Sequence, residues 1–311
     1  MNNKYVKKTV NKPIDIPLEH YLKLYHPPFF CEGKYDGERV LIQVSDRIVI
    51  ANKHHSIYEE EILPERLIQA IRKAFTVNGI YDAEFFSLKG NLYDFLSARA
   101  NLTDDLALAI WDIITDFKTD FRNIKLEERK GFLKDAVQTN DRVILVESEL
   151  CSNKDEILRF FEDSLEEGFE GIVVKPNSNY YAKWLKIKEQ YTDDFAVLGV
   201  KKTESYLKDG IPFTFLVGIY QNGKWIPIGD VSSGLSYNER EAIAEFIDEL
   251  KIREDRNYIY FKPDLVFEVE YHQKTENGLR EPKIKRIRFD KAPTECRTLQ
   301  SLHKRERCRR G

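Results

Sequence analysis

Short apolar, β-branched runs broken by turn residues recur from one end of this 311-residue chain to the other, interleaved with segments of helical spacing. That texture restricts the fold more than any other feature. Runs of this length pair into antiparallel sheets, and the amphipathic segments between them cover the sheets' outer faces. Residues 39–44 and 47–52 are separated only by Ser45-Asp46, a hairpin spacing, and residues 63–75 have helical periodicity. Residues 80–86, 107–114, 142–150, 170–176 and 184–188 read as strands. Asn153, with Glu156 three residues on, opens a helix over 153–168.

After Lys188 the texture changes to five short strands, at 194–200, 213–220, 224–231, 265–271 and 284–289, with one helix over 236–251 opened by the capping pair Ser236 and Glu239. Five strands in about 120 residues predict a small closed barrel of the OB type. The expected fold class is therefore α+β, with a boundary near Tyr191. A domain of antiparallel sheets flanked by helices covers residues 1–190, and an OB-fold β-barrel with a basic tail covers 191–311.

Hydrophobic residues make up 42% of the chain, enough for two cores. No apolar run is long enough to span a membrane, and the basic N-terminal residues are followed by no apolar segment of a signal peptide, so an unexported, cytoplasmic monomer is expected. The four cysteines form no Cys-x-x-Cys pair and the six histidines form no metal-binding helix, which argues for reduced thiols and against zinc. Net charge is −3, but from residue 280 to 310 twelve Lys/Arg stand against four acids. That end can carry a phosphate footprint while the rest stays acidic. A solvated tail at Lys304–Arg310 with no ligand is the competing reading.

Neither common phosphate-binding loop, Gly-x-x-x-x-Gly-Lys-Ser/Thr or Gly-x-Gly-x-x-Gly, occurs. In their place, Glu32-Gly33-Lys34-Tyr35-Asp36-Gly37-Glu38-Arg39 puts a lysine beside an Asp-Gly turn and a second cation. Four further elements follow in the first domain: Tyr81-Asp82-Ala83-Glu84-Phe85, Ala109-Ile110-Trp111-Asp112-Ile113, Glu170-Gly171-Ile172-Val173-Val174-Lys175 and Trp184-Leu185-Lys186-Ile187-Lys188. Arg288-Phe289-Asp290-Lys291 lies in the second. A lysine amine attacks phosphorus only when neutral, and at a pKa of about 10.4 it is neutral roughly one part in a thousand near pH 7.4. Lys186 and Lys188, at alternate positions of one strand, share a face and supply positive charge that favours a neutral amine nearby.

These six elements, in this order, resemble the motifs of the covalent nucleotidyltransferase superfamily, and in particular the ATP-dependent DNA ligases, from about Glu32 to Pro293. The resemblance implies that Lys34 becomes linked to AMP, with Asp36 acting at the nick and Lys186 and Lys188 beside the α-phosphate. It implies nucleotide contacts from Glu32, from Arg39 to ribose or the nick terminus, from Glu84 to ribose, from Trp111 stacked on adenine and from Lys175 to phosphate. Core packing is the alternative for Trp111. Glu170, assisted by Glu84, would hold Mg²⁺, with Mn²⁺ able to replace it. Arg288 and Lys291 would orient pyrophosphate as it leaves. ATP and nicked duplex DNA are the implied substrates. Many relatives have Ser-Arg where this chain has Asn52-Lys53, and only about 30 residues precede the nucleophile motif, so a minimal two-domain form is expected. An RNA ligase and an mRNA-capping guanylyltransferase are the neighbouring alternatives. An OB-containing single-strand binder, which needs aromatic platforms but no lysine nucleophile, is the non-enzymatic one.

Overall fold

The computed structural model describes residues 14, 16–52, 56–90, 92–275 and 278–297. The basic run Lys304–Arg310 and Lys53 lie outside the described residues. The chain divides into two compact units, residues 1–188 and 189–311.

The first unit contains strands β1 (Phe29–Gly33), β2 (Glu38–Val44), β3 (Ile48–Asn52), β4 (Ile57–Glu59), β5 (Gly79–Ser87), β6 (Leu106–Thr115), β7 (Val143–Leu145), β8 (Glu149–Cys151), β9 (Gly171–Pro176) and β10 (Leu185–Lys188). They form a six-stranded sheet, in the order β4-β3-β2-β5-β6-β7, and a four-stranded sheet, β10-β9-β1-β8. Every ladder is antiparallel except β6–β7. The expected hairpin is present, with Val44 opposite Ile48 across its turn.

Alternation along these strands creates two different faces. One face of the six-stranded sheet, with Val40, Ile42, Ile50, Tyr81, Phe85 and Leu108, packs beneath the helices Glu65–Ala74, Leu92–Asn101 and Leu126–Ala136. Each fully buried side chain there contributes roughly 1.5–3 kcal/mol. One face of the four-stranded sheet packs Phe29, Cys31, Ile172, Val174 and Leu185 against Tyr21 and Ile157 from the helices Leu18–Leu24 and Lys154–Glu166. The remaining faces meet through Leu41, Ala51, Ile80 and Ile114 on one side and Val173, Tyr180 and Trp184 on the other. The polar side chains described below lie along that seam.

Residues 142–150, expected as a single strand, are two. β7 belongs to the six-stranded sheet and β8 to the four-stranded one, and the chain crosses between the sheets at residues 146–148. The Lys154–Glu166 helix opens as expected, with the Asn153 side chain accepting from the Glu156 N–H at 3.0 Å.

The second unit contains β11 (Tyr191–Lys201), β12 (Phe215–Gln221), β13 (Lys224–Val231), β14 (Lys251–Glu254), β15 (Tyr258–Phe261), β16 (Val266–Tyr271), β17 (Gln273–Thr275), β18 (Gly278–Arg280) and β19 (Lys283–Ile287). β11 is the hub, paired with β12, β15 and β16. The path β13-β12-β11-β16-β19 corresponds to the five expected strands. Among the described residues its two ends meet at one parallel bridge, Ser233 to Lys283, and no ladder joins them. The hairpins β14–β15 and β17–β18 are additions to the expected set. The helix expected over 236–251 is two, Tyr237–Ala244 and Ile247–Leu250. They are separated at Phe246, whose N–H bonds tightly back to the Ile243 carbonyl at 3.1 Å. The Ser236–Glu239 capping box is formed.

Candidate active site

Lys34 lies in the turn between β1 and β2, held by reciprocal backbone bonds to the start of β9. Its N–H donates to the Gly171 carbonyl at 2.8 Å, and its carbonyl accepts from Glu170 N–H at 3.1 Å. Two glycines beside these bonds sit against neighbouring strands, Gly37 against β5 and Gly171 against β10. A Cβ on Gly37 would stand 2.3 Å from the Phe85 carbonyl, and one on Gly171, at φ +155°, would stand 2.1 Å from that of Ile187.

The Lys34 amine forms an ion pair with Glu170 Oε2, and Lys188 Nζ reaches Glu170 Oε1 at 2.7 Å. Burial opposes ionisation of Glu170, but the two lysines outweigh it and hold the carboxyl at about 2. Lys186 alternates with Lys188 onto the same face of β10, opposite Val173. Glu84, on β5, is opposite Arg39 in the ladder and accepts from Gly37 N–H at 3.2 Å. Burial, with help from the neighbouring Glu170 charge, pushes the Glu84 carboxyl up to about 8, against Lys34 and Arg39. Two carboxyls of one cluster are thus driven to opposite ends of the scale by their surroundings.

Arg39 is fixed by Asp82, whose Oδ1 accepts from its Nε at 2.9 Å. Tyr180 completes the set, its hydroxyl donating to Asp82 at 2.7 Å and accepting from Arg39 at 3.2 Å. The charge of Asp82 outweighs the cost of burial and raises the Arg39 pKa. The guanidinium lies 4.8 Å from the Trp184 ring centroid and 5.9 Å from that of Trp111. Lys175 shares these rings, at 4.2 Å and 5.5 Å, and pairs with Glu32 at 2.5 Å. Burial, together with the charge of Lys130, draws the Lys175 amine down to about 8. Trp111 is half-buried, and its indole N–H is a buried donor with no hydrogen-bond partner. A buried donor without a partner is uncommon in a packed core.

The structure therefore brings together Lys34, Glu170, Lys188 and Glu84 as one cluster, and Arg39, Trp111, Lys175 and Glu32 along the same seam. Asp36 occupies the turn beside Lys34. Arg288 and Lys291 lie in the second unit, held by that unit's own acids. Arg288 Nη1 contacts Asp194 at 3.1 Å, its Nε contacts Asp290 at 2.8 Å, and Lys291 Nζ contacts Asp194 at 2.8 Å. Sequence reasoning missed Asp82, Tyr180, Lys130 and the fully buried Arg129–Asp112 pair, which bonds at 2.7 and 2.8 Å. Asp82 and Asp112 stand inside two of the six motifs, as acids on largely apolar strands. Among the described residues no group of three or more His, Cys, Asp and Glu side chains is arranged to hold a metal ion.

The family model for the ATP dependent DNA ligase domain matches residues 11–188, more than half of the chain. This chain belongs to the ATP-dependent DNA ligase family. The model for that family's C-terminal region matches residues 210–291. A DNA ligase of Thermococcus fumicolans is 26% identical over 302 residues, covering 87% of this chain and 54% of the relative. A DNA ligase of vaccinia virus, strain Copenhagen, is 27% identical over 337 residues, covering 90% and 59%. The chain spans little more than half the length of these curated relatives. A solved structure from a study of Lig E DNA ligases and DNA binding with a minimal scaffold superposes with a TM-score of 0.63 at 14% identity, covering 90% of this chain and 99% of that one. The likeness to that structure shows the shared fold.

Proposed function

We propose that this chain seals 5′-phosphate/3′-hydroxyl nicks in duplex DNA at the expense of ATP. The observation that carries the reading is the Lys34 amine, set in a turn between the sheets and flanked by Glu170 and Lys188, in a chain of this family. In the first step the Lys34 nitrogen bonds to the α-phosphorus of ATP as the bond to the β-phosphate oxygen breaks and pyrophosphate leaves. AMP then passes to the 5′-phosphate at the nick, freeing Lys34, and the 3′-hydroxyl attacks that phosphate and expels AMP. Lys34 must release Glu170 and shed a proton before it attacks. Lys186 and Lys188 then stand on the strand face beside it to meet phosphate charge.

Trp111 and Trp184 offer faces for the base, Arg39 serves the ribose or nick terminus, and Asp36 acts at the nick. Arg288 and Lys291 supply cations for the departing pyrophosphate. Glu84 and Glu170 present only hard oxygen donors, which suit Mg²⁺ or Mn²⁺ held by one or two carboxylates together with nucleotide phosphates. When bound there, the ion neutralises charge on the triphosphate. No helix among the described residues is long and apolar enough to cross a membrane.

Incubation with α-labelled ATP or GTP, followed by denaturing electrophoresis and by assays on nicked DNA, nicked RNA and hybrids, tests this reading. Covalent AMP and sealing of nicked DNA are expected. Covalent GMP, or sealing confined to RNA, would replace it with capping or RNA ligation, and absence of any label would overturn it.

A further inference from the structure

The connection from β9 to β10, residues 177–184, carries Tyr180 to the seam, where it packs with Leu41, Ile80 and Ile114 of the six-stranded sheet. The connection is tied down at many points besides that side chain. The Leu126 N–H donates to the Ser178 carbonyl at 3.0 Å, and the Glu127 N–H to the Asn177 side chain at 3.1 Å. Arg129 reaches the Ser178 carbonyl at 3.2 Å, and the Tyr180 N–H reaches the Arg122 carbonyl at 2.9 Å. The Tyr21 hydroxyl donates to the Lys183 carbonyl at 2.7 Å. The Tyr180 ring itself lies 5.8 Å from the Arg129 guanidinium and meets Trp184 edge-on at 6.1 Å. A phenylalanine would keep all of these contacts, so the hydroxyl has no share in holding the loop.

That hydroxyl is fully buried and stands between two opposite charges. It donates to Asp82 Oδ2 at 2.7 Å and accepts from Arg39 Nη2 at 3.2 Å. Among side-chain groups a hydroxyl can do both at once, which neither an ammonium nor a carboxylate can. Asp82 also takes Nε and Nη2 of Arg39 as a fork. Two parallel bonds fix the guanidinium in the plane of the carboxylate, but the joined groups can still turn together about the last torsion of Asp82, which is a soft one. A third point of attachment, coming from the other sheet, stops that turn. The position of Arg39, 4.8 Å from the Trp184 ring, is thus referred to the connection that runs directly into Lys186 and Lys188.

We propose that Tyr180 is a positioning residue whose hydroxyl holds the Arg39 guanidinium against the strand carrying Lys186 and Lys188, and that it acts on the reaction through Arg39. This rests on the reading of the seam as the site of ATP use and nick sealing, with Arg39 at the ribose or the nick terminus. Without the hydroxyl the Asp82–Arg39 fork persists, but it no longer has one orientation relative to the lysines of β10.

The test is a double-mutant cycle on the full chain, with single-turnover rates of self-adenylylation and of sealing a pre-adenylylated nick. Tyr180→Phe should slow the reaction that Arg39→Met slows more, by about tenfold, the scale of one hydrogen bond to a charged group. In the Arg39→Met background the same substitution should cost less than about twofold, because the residue it acts through is gone. A tyrosine that merely fills the seam would cost the same factor in both backgrounds, and that result overturns the proposal. So does a loss in Tyr180→Phe that falls mainly on the other reaction. Melting curves accompany the rates, and a Tyr180→Phe protein that does not fold also overturns it, since the hydroxyl would then be holding the loop. No label and no sealing by the wild-type protein would instead defeat the ligase reading itself.

Discussion

Removing Arg129 tests how the first unit holds its site. The Arg129–Asp112 pair has no solvent exposure on either side, and Arg129 also donates to the Ile124 carbonyl at 2.5 Å and the Ser178 carbonyl at 3.2 Å. Arg129→Met keeps most of the stem but leaves the Asp112 charge buried with, among the described residues, only the Ile113 N–H, at 2.9 Å, as a hydrogen-bond donor. Breaking a buried pair from one side costs about 3–5 kcal/mol. For a unit of this size each kcal/mol moves the melting temperature by about 2–4 °C, so the midpoint should fall by about 6–20 °C. The double variant Arg129→Met/Asp112→Leu should recover much of that loss, because an apolar replacement of both partners leaves no orphaned charge. Differential scanning calorimetry of the three proteins reads both effects. A single variant melting within about 2 °C of the wild type would refute the reasoning.

Glu84 gives a prediction with a definite sign. Its folded value of about 8 lies above the ordinary 4.5, so between those values the native state keeps a proton that the unfolded chain has released, and stability falls as pH rises through the window. Glu84→Gln cannot ionise, so its melting temperature relative to wild type should climb from about pH 5 to about pH 8 without added metal, and a constant difference contradicts the assignment. Arg288→Ala should cut self-adenylylation severely while leaving much of the sealing of a pre-adenylylated nick, since only the first step expels pyrophosphate. Equal losses in both reactions would remove the leaving-group role and return Arg288 to bracing Asp194 and Asp290.

The strands that build the seam were legible because each alternates or is continuously apolar. β5 is buried along its whole length and still carries Asp82 and Glu84, and two acids on such a strand announce chemistry. What was not legible depends on pairing at long range. Residues 142–150 look like one strand because periodicity reports how a segment pairs and not which sheet it joins. β14 was missed because all four of its residues are exposed, so it has no alternation to read. Tyr180 and Lys130 had no signal at all. Their partners lie 98 residues away at Asp82 and at Glu32 on the opposite sheet, and only the fold reveals that a tyrosine and a lysine of unremarkable context complete the site.

The covalent link is the central claim, and its position is the most direct test. After incubation with ATP, proteolysis at neutral pH to preserve the phosphorus–nitrogen bond and mass mapping of the peptides should find AMP on Lys34 alone, with none retained by Lys34→Ala. AMP on another residue, or label that survives in Lys34→Ala, would contradict the account.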